Sequence, residues 1–139
     1  MDLLSQLNPS QAQAVQAIEG PVLVLAGPGS GKTRVLTHRI AYLVKQCQMD
    51  PYNLMAVTFT NKAAREMRER LAKLIGQTNL DRLTVGTFHA ICARILRREA
   101  QAIGMRTDFV IYDRDDQLSL LKSALRELNP VSYTHLRAH

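Results

Sequence analysis

Apolar residues along the chain fall into short blocks set off by polar turns, and the blocks alternate between a helical and an extended period. Asn8-Pro9 reads as an N-cap with Pro at the first helical position, opening a short helix through Ala12, Val15 and Ile18 that Gly20-Pro21 ends. Val22 to Ala26 is a continuous apolar run too short for a helix, which predicts a buried parallel strand. After a glycine-rich turn, Leu36, Ile40, Leu43 and Val44 recur at helical spacing until Asp50-Pro51. Leu54 to Thr60 predicts a second strand. Asn61 can then cap a helix with Ala64, Met67, Leu71 and Leu74 on one face and Arg65, Glu66, Arg68, Glu69 and Arg70 on the others.

Leu83 to Val85 predicts a weaker third strand, and Thr87 can cap the helix carrying Phe88, Ile91, Ile95 and Leu96. Phe109 to Tyr112 reads as a fourth short strand, and Asp113 can cap a last helix through Leu118, Leu121, Leu125 and Leu128. Strands separated by single helices mean βαβ units, an α/β fold and a mainly parallel sheet.

Length and composition narrow this further. A chain of 139 residues, 46% hydrophobic and 22% charged, has room for one domain and an ordinary core. The longest apolar stretches fall far short of the roughly 18 residues a membrane-spanning helix needs, so no membrane role is expected. The first residues lack the basic, apolar layout of a secretion signal, and Cys47 and Cys92 form neither a C-x-x-C pair nor a disulfide framework. A cytoplasmic location is the expectation. The net charge of +6 is uneven: residues 61–98 hold nine basic and three acidic side chains, while the flanks are nearly balanced. Such a patch is the footprint of a phosphate-rich partner, or equally a solvated helix face.

The sharpest chemical signal is Ala26-Gly27-Pro28-Gly29-Ser30-Gly31-Lys32-Thr33, set between the first strand and the next helix. It has the form of a P-loop, with Ala26 where the general pattern begins with Gly. Small residues let successive backbone N–H groups turn onto phosphate oxygens, and the following helix dipole adds to that field. Lys32 supplies a mobile charge for the β- and γ-phosphates, and Thr33 a hydroxyl for Mg²⁺. The competing reading is a chance glycine turn.

Flanking segments say which kind of nucleotide-binding protein this is. Leu7 to Val15 precedes the loop; Val57-Thr58-Phe59-Thr60-Asn61-Lys62-Ala63-Ala64-Arg65-Glu66-Met67 follows it, and then Val85-Gly86-Thr87-Phe88-His89-Ala90. In this order and spacing the segments resemble the UvrD/PcrA/Rep group of superfamily 1 DNA helicases over about residues 3 to 129. The resemblance implies a RecA-like P-loop NTPase domain, incomplete here. Residues 1–110 would be the N-terminal part of that first ATP-binding domain and 111–130 the start of an inserted helical subdomain. Residues 131–139 lose all helical periodicity and are similar to an adapter-derived read-through tail, so they are expected to be non-native.

By the same resemblance, ATP and Mg²⁺ are the cofactors. Gln11 matches the glutamine that grips adenine, which a side-chain amide can do. Arg34 matches a position near base and sugar, or is simply a surface arginine. Phe59, Thr60, Asn61 and Lys62, then Thr87, Phe88 and His89, match motifs that touch single-stranded DNA; an aromatic beside hydroxyl, amide and ammonium groups suits base and phosphate contacts. Phe59 could instead pack in the core, and His89 could be a satisfied buried histidine. His38 has no ligand set and no assigned role. The family's acidic Walker B pair, arginine finger and second RecA-like domain are not found in the sequence; Asp115-Asp116 opens a helix instead of ending a strand.

The function this implies is ATP-dependent 3′ to 5′ translocation on single-stranded DNA, with unwinding at single-strand/duplex junctions, in a longer protein of which this is an inactive fragment. The rival readings are a nucleotide- or DNA-binding module without turnover, and a small P-loop kinase, for which neither acceptor site nor lid is evident.

Overall fold

A computed structural model describes residues 2–128. The chain divides into two compact units, the first running through Leu96 and the second beginning at Arg97. The expectation of a non-native tail at 131–139 lies outside the described residues.

In the first unit, α1 (Pro9–Gln16) opens with Asn8 and Gln11 capping each other, and Pro9 takes the first helical position as expected. Then come α2 (Lys32–Lys45), β1 (Met55–Thr58), α3 (Asn61–Ile75), a short α4 (Gln77–Arg82) that periodicity does not mark, β2 (Thr84–Thr87) and α5 (Phe88–Glu99), whose last three residues fall in the second unit. Strands β1 and β2 pair in parallel, with Met55 opposite Thr84 and Thr58 opposite Thr87. The helices between them make this a βαβ unit, and the chain is α/β as its pattern predicts.

The core is where helical and strand faces meet. Ile40 and Ala41 of α2, Met67, Leu71 and Ile75 of α3, Ala56 of β1 and Val85 of β2 are buried in one cluster, with Leu3, Leu80 and Leu83 closing it. The α3 stripe is as the spacing requires, with Leu71 fully enclosed and Leu74 at the edge. Below the sheet, Asp50 caps a one-turn 3-10 helix at Pro51–Asn53 and also accepts from Arg82 Nη2 at 2.7 Å, tying the entry of β1 to the end of α4.

Several expectations are corrected. The run Val22 to Ala26 forms no strand: Leu23 is 83% and Leu25 87% exposed. A strand exists through hydrogen bonds to a neighbour, and β1 and β2, the two strands among the described residues, are paired with each other. Apolar composition gave this segment its wish for burial but not a partner. The fourth strand at Phe109 to Tyr112 is likewise absent, with Val110, Ile111 and Tyr112 exposed. The cap of α3 is Thr60, one residue before the expected Asn61, because Thr60 keeps an extended backbone while its hydroxyl accepts from the Ala63 N–H. In α5, Ile91 is buried but Phe88, Ile95 and Leu96 are exposed, and Ala93 takes the second inward position.

The second unit holds α6 (Arg114–Leu128), whose first turn is closed by Asp113 and Asp116 capping each other, as Asp113 was expected to do. Its leucines Leu118, Leu121, Leu125 and Leu128 are all exposed. Arg97 stacks over the ring of Phe109 at 5.2 Å. Among the described residues no helix is long and apolar enough to cross a membrane.

Candidate functional site

Two places in the first unit gather the residues singled out by the sequence. The first is the turn between residue 26 and α2. Gly29 (φ +71°) and Gly31 (φ +78°) both take left-handed backbone, which glycine adopts freely and other residues do not. Gly31 is doubly constrained, since a Cβ there would lie 2.9 Å from the Gln11 Nε2. Gly31 is also the N-cap of α2, and no side chain caps that helix. The helix's own ladder starts with Val35 N–H donating to the Gly31 carbonyl at 3.0 Å. The N–H groups of the first turn, at the positive end of the α2 dipole, therefore face an open groove of about 640 Å³.

Every other side chain expected at this turn is close by. Lys32 Nζ is folded back onto the loop, donating to the Gly27 carbonyl at 2.7 Å and the Ala26 carbonyl at 3.3 Å. Ser30 Oγ donates to the same Gly27 carbonyl at 2.6 Å, with Ser30 N–H beside it at 3.3 Å. One carbonyl thus collects three donors and draws the loop tight. Gln11, on α1, reaches across: its Nε2 donates to the Ser30 carbonyl at 3.0 Å while its Oε1 accepts from Asn8 N–H at 3.1 Å. An amide has two donors and two lone pairs, so Gln11 keeps one of each for another partner. Thr33 and Arg34 line the groove, and Arg34 Nη1 also donates to the Gln6 carbonyl at 3.4 Å.

The sequence reading missed Arg70, which enters this groove from α3. Arg65, Arg68 and Arg70 look alike in the sequence, and only the packing of α3 against α2 selects the one that reaches. His38 is buried, with Nδ1 2.8 Å from the Leu3 carbonyl; it holds the N-terminal segment to α2. Among the described residues, no carboxylate lines the groove.

The second place is the carboxyl edge of the two-stranded sheet. Because Thr58 and Thr87 are register partners, Phe59 and Phe88 emerge side by side, ring centroids 6.5 Å apart and planes tilted by 37°. Phe59 is 92% exposed, which rules out the core-packing alternative. His89 is exposed too, so it is not a buried histidine. Asn61 and Lys62 lie in the first turn of α3, open to solvent. The two threonines are committed locally: Thr60 caps α3, and the buried Thr87 accepts from Ala90 N–H at 3.2 Å at the start of α5. Two helix N-termini and two exposed aromatics therefore converge at one edge. That is a combination suited to phosphates and base faces. Among the described residues, no group of His, Cys, Asp and Glu is arranged to hold a metal ion.

The chain is 53% identical over 127 residues to the ATP-dependent DNA helicase PcrA of Staphylococcus aureus (strain Mu50 / ATCC 700699), and 54% identical over the same length to that of Bacillus subtilis (strain 168). The PcrA of Leuconostoc citreum is 52% identical. Each match covers 91% of this chain but 17% of the relative, so the chain spans about one sixth of the length of the curated relatives it matches. The family model of the UvrD/REP helicase N-terminal domain matches residues 7–139. This chain belongs to the UvrD/REP helicase family, whose N-terminal domain it represents.

Proposed function

We propose that the chain carries the nucleotide-binding half-site and the first single-stranded DNA contacts of an ATP-dependent 3′ to 5′ DNA helicase, within a RecA-like P-loop domain. On this reading residues 1–110 belong to that domain, 111–130 begin a helical subdomain, and 131–139 are a non-native tail. The observation that carries it is the pairing of a cap-free helix N-terminus, with Lys32 at its start, and a separate aromatic edge at Phe59 and Phe88 in one α/β unit.

The groove suits a nucleotide phosphate chain with Mg²⁺ on three counts: glycines in left-handed backbone, a position at Gly31 where a Cβ would collide, and an ammonium held by loop carbonyls. The backbone N–H groups from Gly29 to Thr33 and the Lys32 ammonium would hold the phosphates, and the Thr33 hydroxyl would face the metal. The metal, when bound, neutralises phosphate charge. To take up this role Lys32 must leave the Gly27 carbonyl, and the loop held by Ser30 must open with it. Gln11 would read adenine with its spare donor and acceptor while remaining fixed to Ser30, and Arg34 and Arg70 flank it. Phe59 and Phe88 would stack bases; Asn61, Lys62 and His89 would meet the backbone of single-stranded DNA or of a junction.

With no carboxylate among the described residues of the groove to orient an attacking water, the chain by itself should bind nucleotide without hydrolysing it appreciably. That makes a binding module without turnover the second reading for this chain as it stands. Lys32→Ala should abolish nucleotide binding, measured with a fluorescent ATP analogue, and leave single-stranded DNA affinity within about twofold, since the two sites use different elements. ATP hydrolysis stimulated by single-stranded DNA in residues 1–139 would show that a catalytic group lies within the chain, with Asp113, Asp115 and Asp116 the first to substitute.

A further inference from the structure

Helix α1 is 8 residues long, buries Val15 and has no basic side chain in its own last turn. A helix this short does not persist unaided in water, so the direction in which it presents Gln11 is fixed from outside. Its N-terminal end is closed by the Asn8 and Gln11 caps and by the Gln11 bond to Ser30. Its other end is held from α2, where Arg39 Nη1 donates to the Ala14 carbonyl at 2.7 Å in a part-buried contact.

That carbonyl lies in the final turn, where helix acceptors run out of in-helix donors, and a guanidinium there also meets the negative end of the dipole. Arg39 lines an apolar cavity that α1 and α2 share with the 22–27 segment, Ser30 and Lys32, and it is not among the residues lining the groove over Gly29 to Arg34, so its contact with α1 lies outside the proposed phosphate groove. The same helix reaches the preceding segment through His38 to the Leu3 carbonyl and Arg34 to the Gln6 carbonyl. Arg39 is the member of this set that acts on α1 itself.

We infer that Arg39 is a positioning residue for base recognition: by holding the end of α1 against α2 it sets Gln11 at the rim of the glycine loop, so that preference for adenine depends on a side chain that touches no nucleotide. The inference rests on the groove being the nucleotide site proposed above. It predicts a split between base selectivity and phosphate affinity, which a general loss of structure would not produce.

The test compares the full chain with Arg39→Gln, which removes the charge, and Arg39→Lys, which keeps a cationic donor of similar reach. ADP, GDP and inorganic tripolyphosphate are titrated by displacement of a fluorescent nucleotide, and hydrogen exchange across Ala12 to Ala17 is followed without nucleotide. The expected result is that Arg39→Gln lowers the ADP over GDP preference about tenfold, the size of one lost charge-assisted hydrogen bond. Tripolyphosphate affinity should stay within about twofold, and exchange should quicken in α1 but not in α3. Arg39→Lys should recover most of the preference. An unchanged preference in Arg39→Gln, or an equal loss for all three ligands, overturns the inference. Unchanged α1 exchange also overturns it, whatever the nucleotides do, whereas failure of the unsubstituted chain to bind any of the three overturns the nucleotide reading instead.

Discussion

At Gly31, backbone conformation and crowding act on the same atom. The residue sits at φ +78°, and a methyl group there would press on the Gln11 amide. Gly31→Ala should therefore cost about 1–2 kcal/mol in backbone strain and also push Gln11 off Ser30. The check is a thermal melt together with nucleotide titration, and wild-type values in both would mean that the loop tolerates a side chain where the geometry says it cannot. Phe59 is the corresponding position at the sheet edge. An aromatic ring 92% exposed contributes nothing to the core, so Phe59→Ala should leave folding intact and weaken single-stranded DNA binding by about 1–3 kcal/mol in fluorescence anisotropy. Unaltered affinity would remove Phe59 from any DNA track. Residues of this kind were legible in the sequence because glycine, lysine and exposed aromatics are chosen for chemistry that does not depend on distant packing. Arg70 and Arg39 were not, since an arginine's role is set by what its long side chain reaches, and that requires knowing how α3 and α1 lie on α2.

Elements tell a similar story with a different boundary. The helices were readable from their stripes and caps: the α3 face of Ala64, Met67 and Leu71 is buried as its spacing demands, and Asn8 and Asp113 cap where expected. Strands were readable only where a partner is present. The run from Val22 to Ala26 is the most apolar extended block in the chain, yet it lies exposed, while the shorter Thr84–Thr87 is a strand because β1 lies beside it. Periodicity also misses α4, six residues long and opened by Gly76 with no side-chain cap, whose place is fixed by the Arg82 to Asp50 bridge and buried Leu80. The caps offer a direct stability test. Thr60→Ala removes the acceptor for Ala63 N–H and should destabilise the chain by about 1 kcal/mol in urea denaturation, whereas Asn61→Ala, at a position expected from sequence to be the cap, should cost much less. The reverse order would return the cap to Asn61.

For the molecule as a whole, the uneven charge becomes meaningful once the fold is known. The segment 61–98, with nine basic and three acidic side chains, comprises α3, α4, β2 and most of α5, and α3, which starts at the edge where Phe59 and Phe88 meet, carries Lys62 in its first turn. If about four phosphates are neutralised there, single-stranded DNA affinity should fall on the order of fiftyfold for a fourfold rise in salt. A flat salt response in an electrophoretic or anisotropy titration would place the basic residues away from bound DNA. The parallel register also fixes a distance that the intervening chain does not control. Between Phe59 and Phe88 run two helices and their turns, but the gap between the rings is set by the pairing of Thr58 with Thr87 immediately before them. The sheet is a ruler for the spacing of the two rings, and the segment around Gly76 to Arg82 is slack in the string. Length changes in that turn should leave the ruler unmoved, while slipping β2 by a single residue against β1 would turn Phe88 to the opposite face and break the aromatic pair.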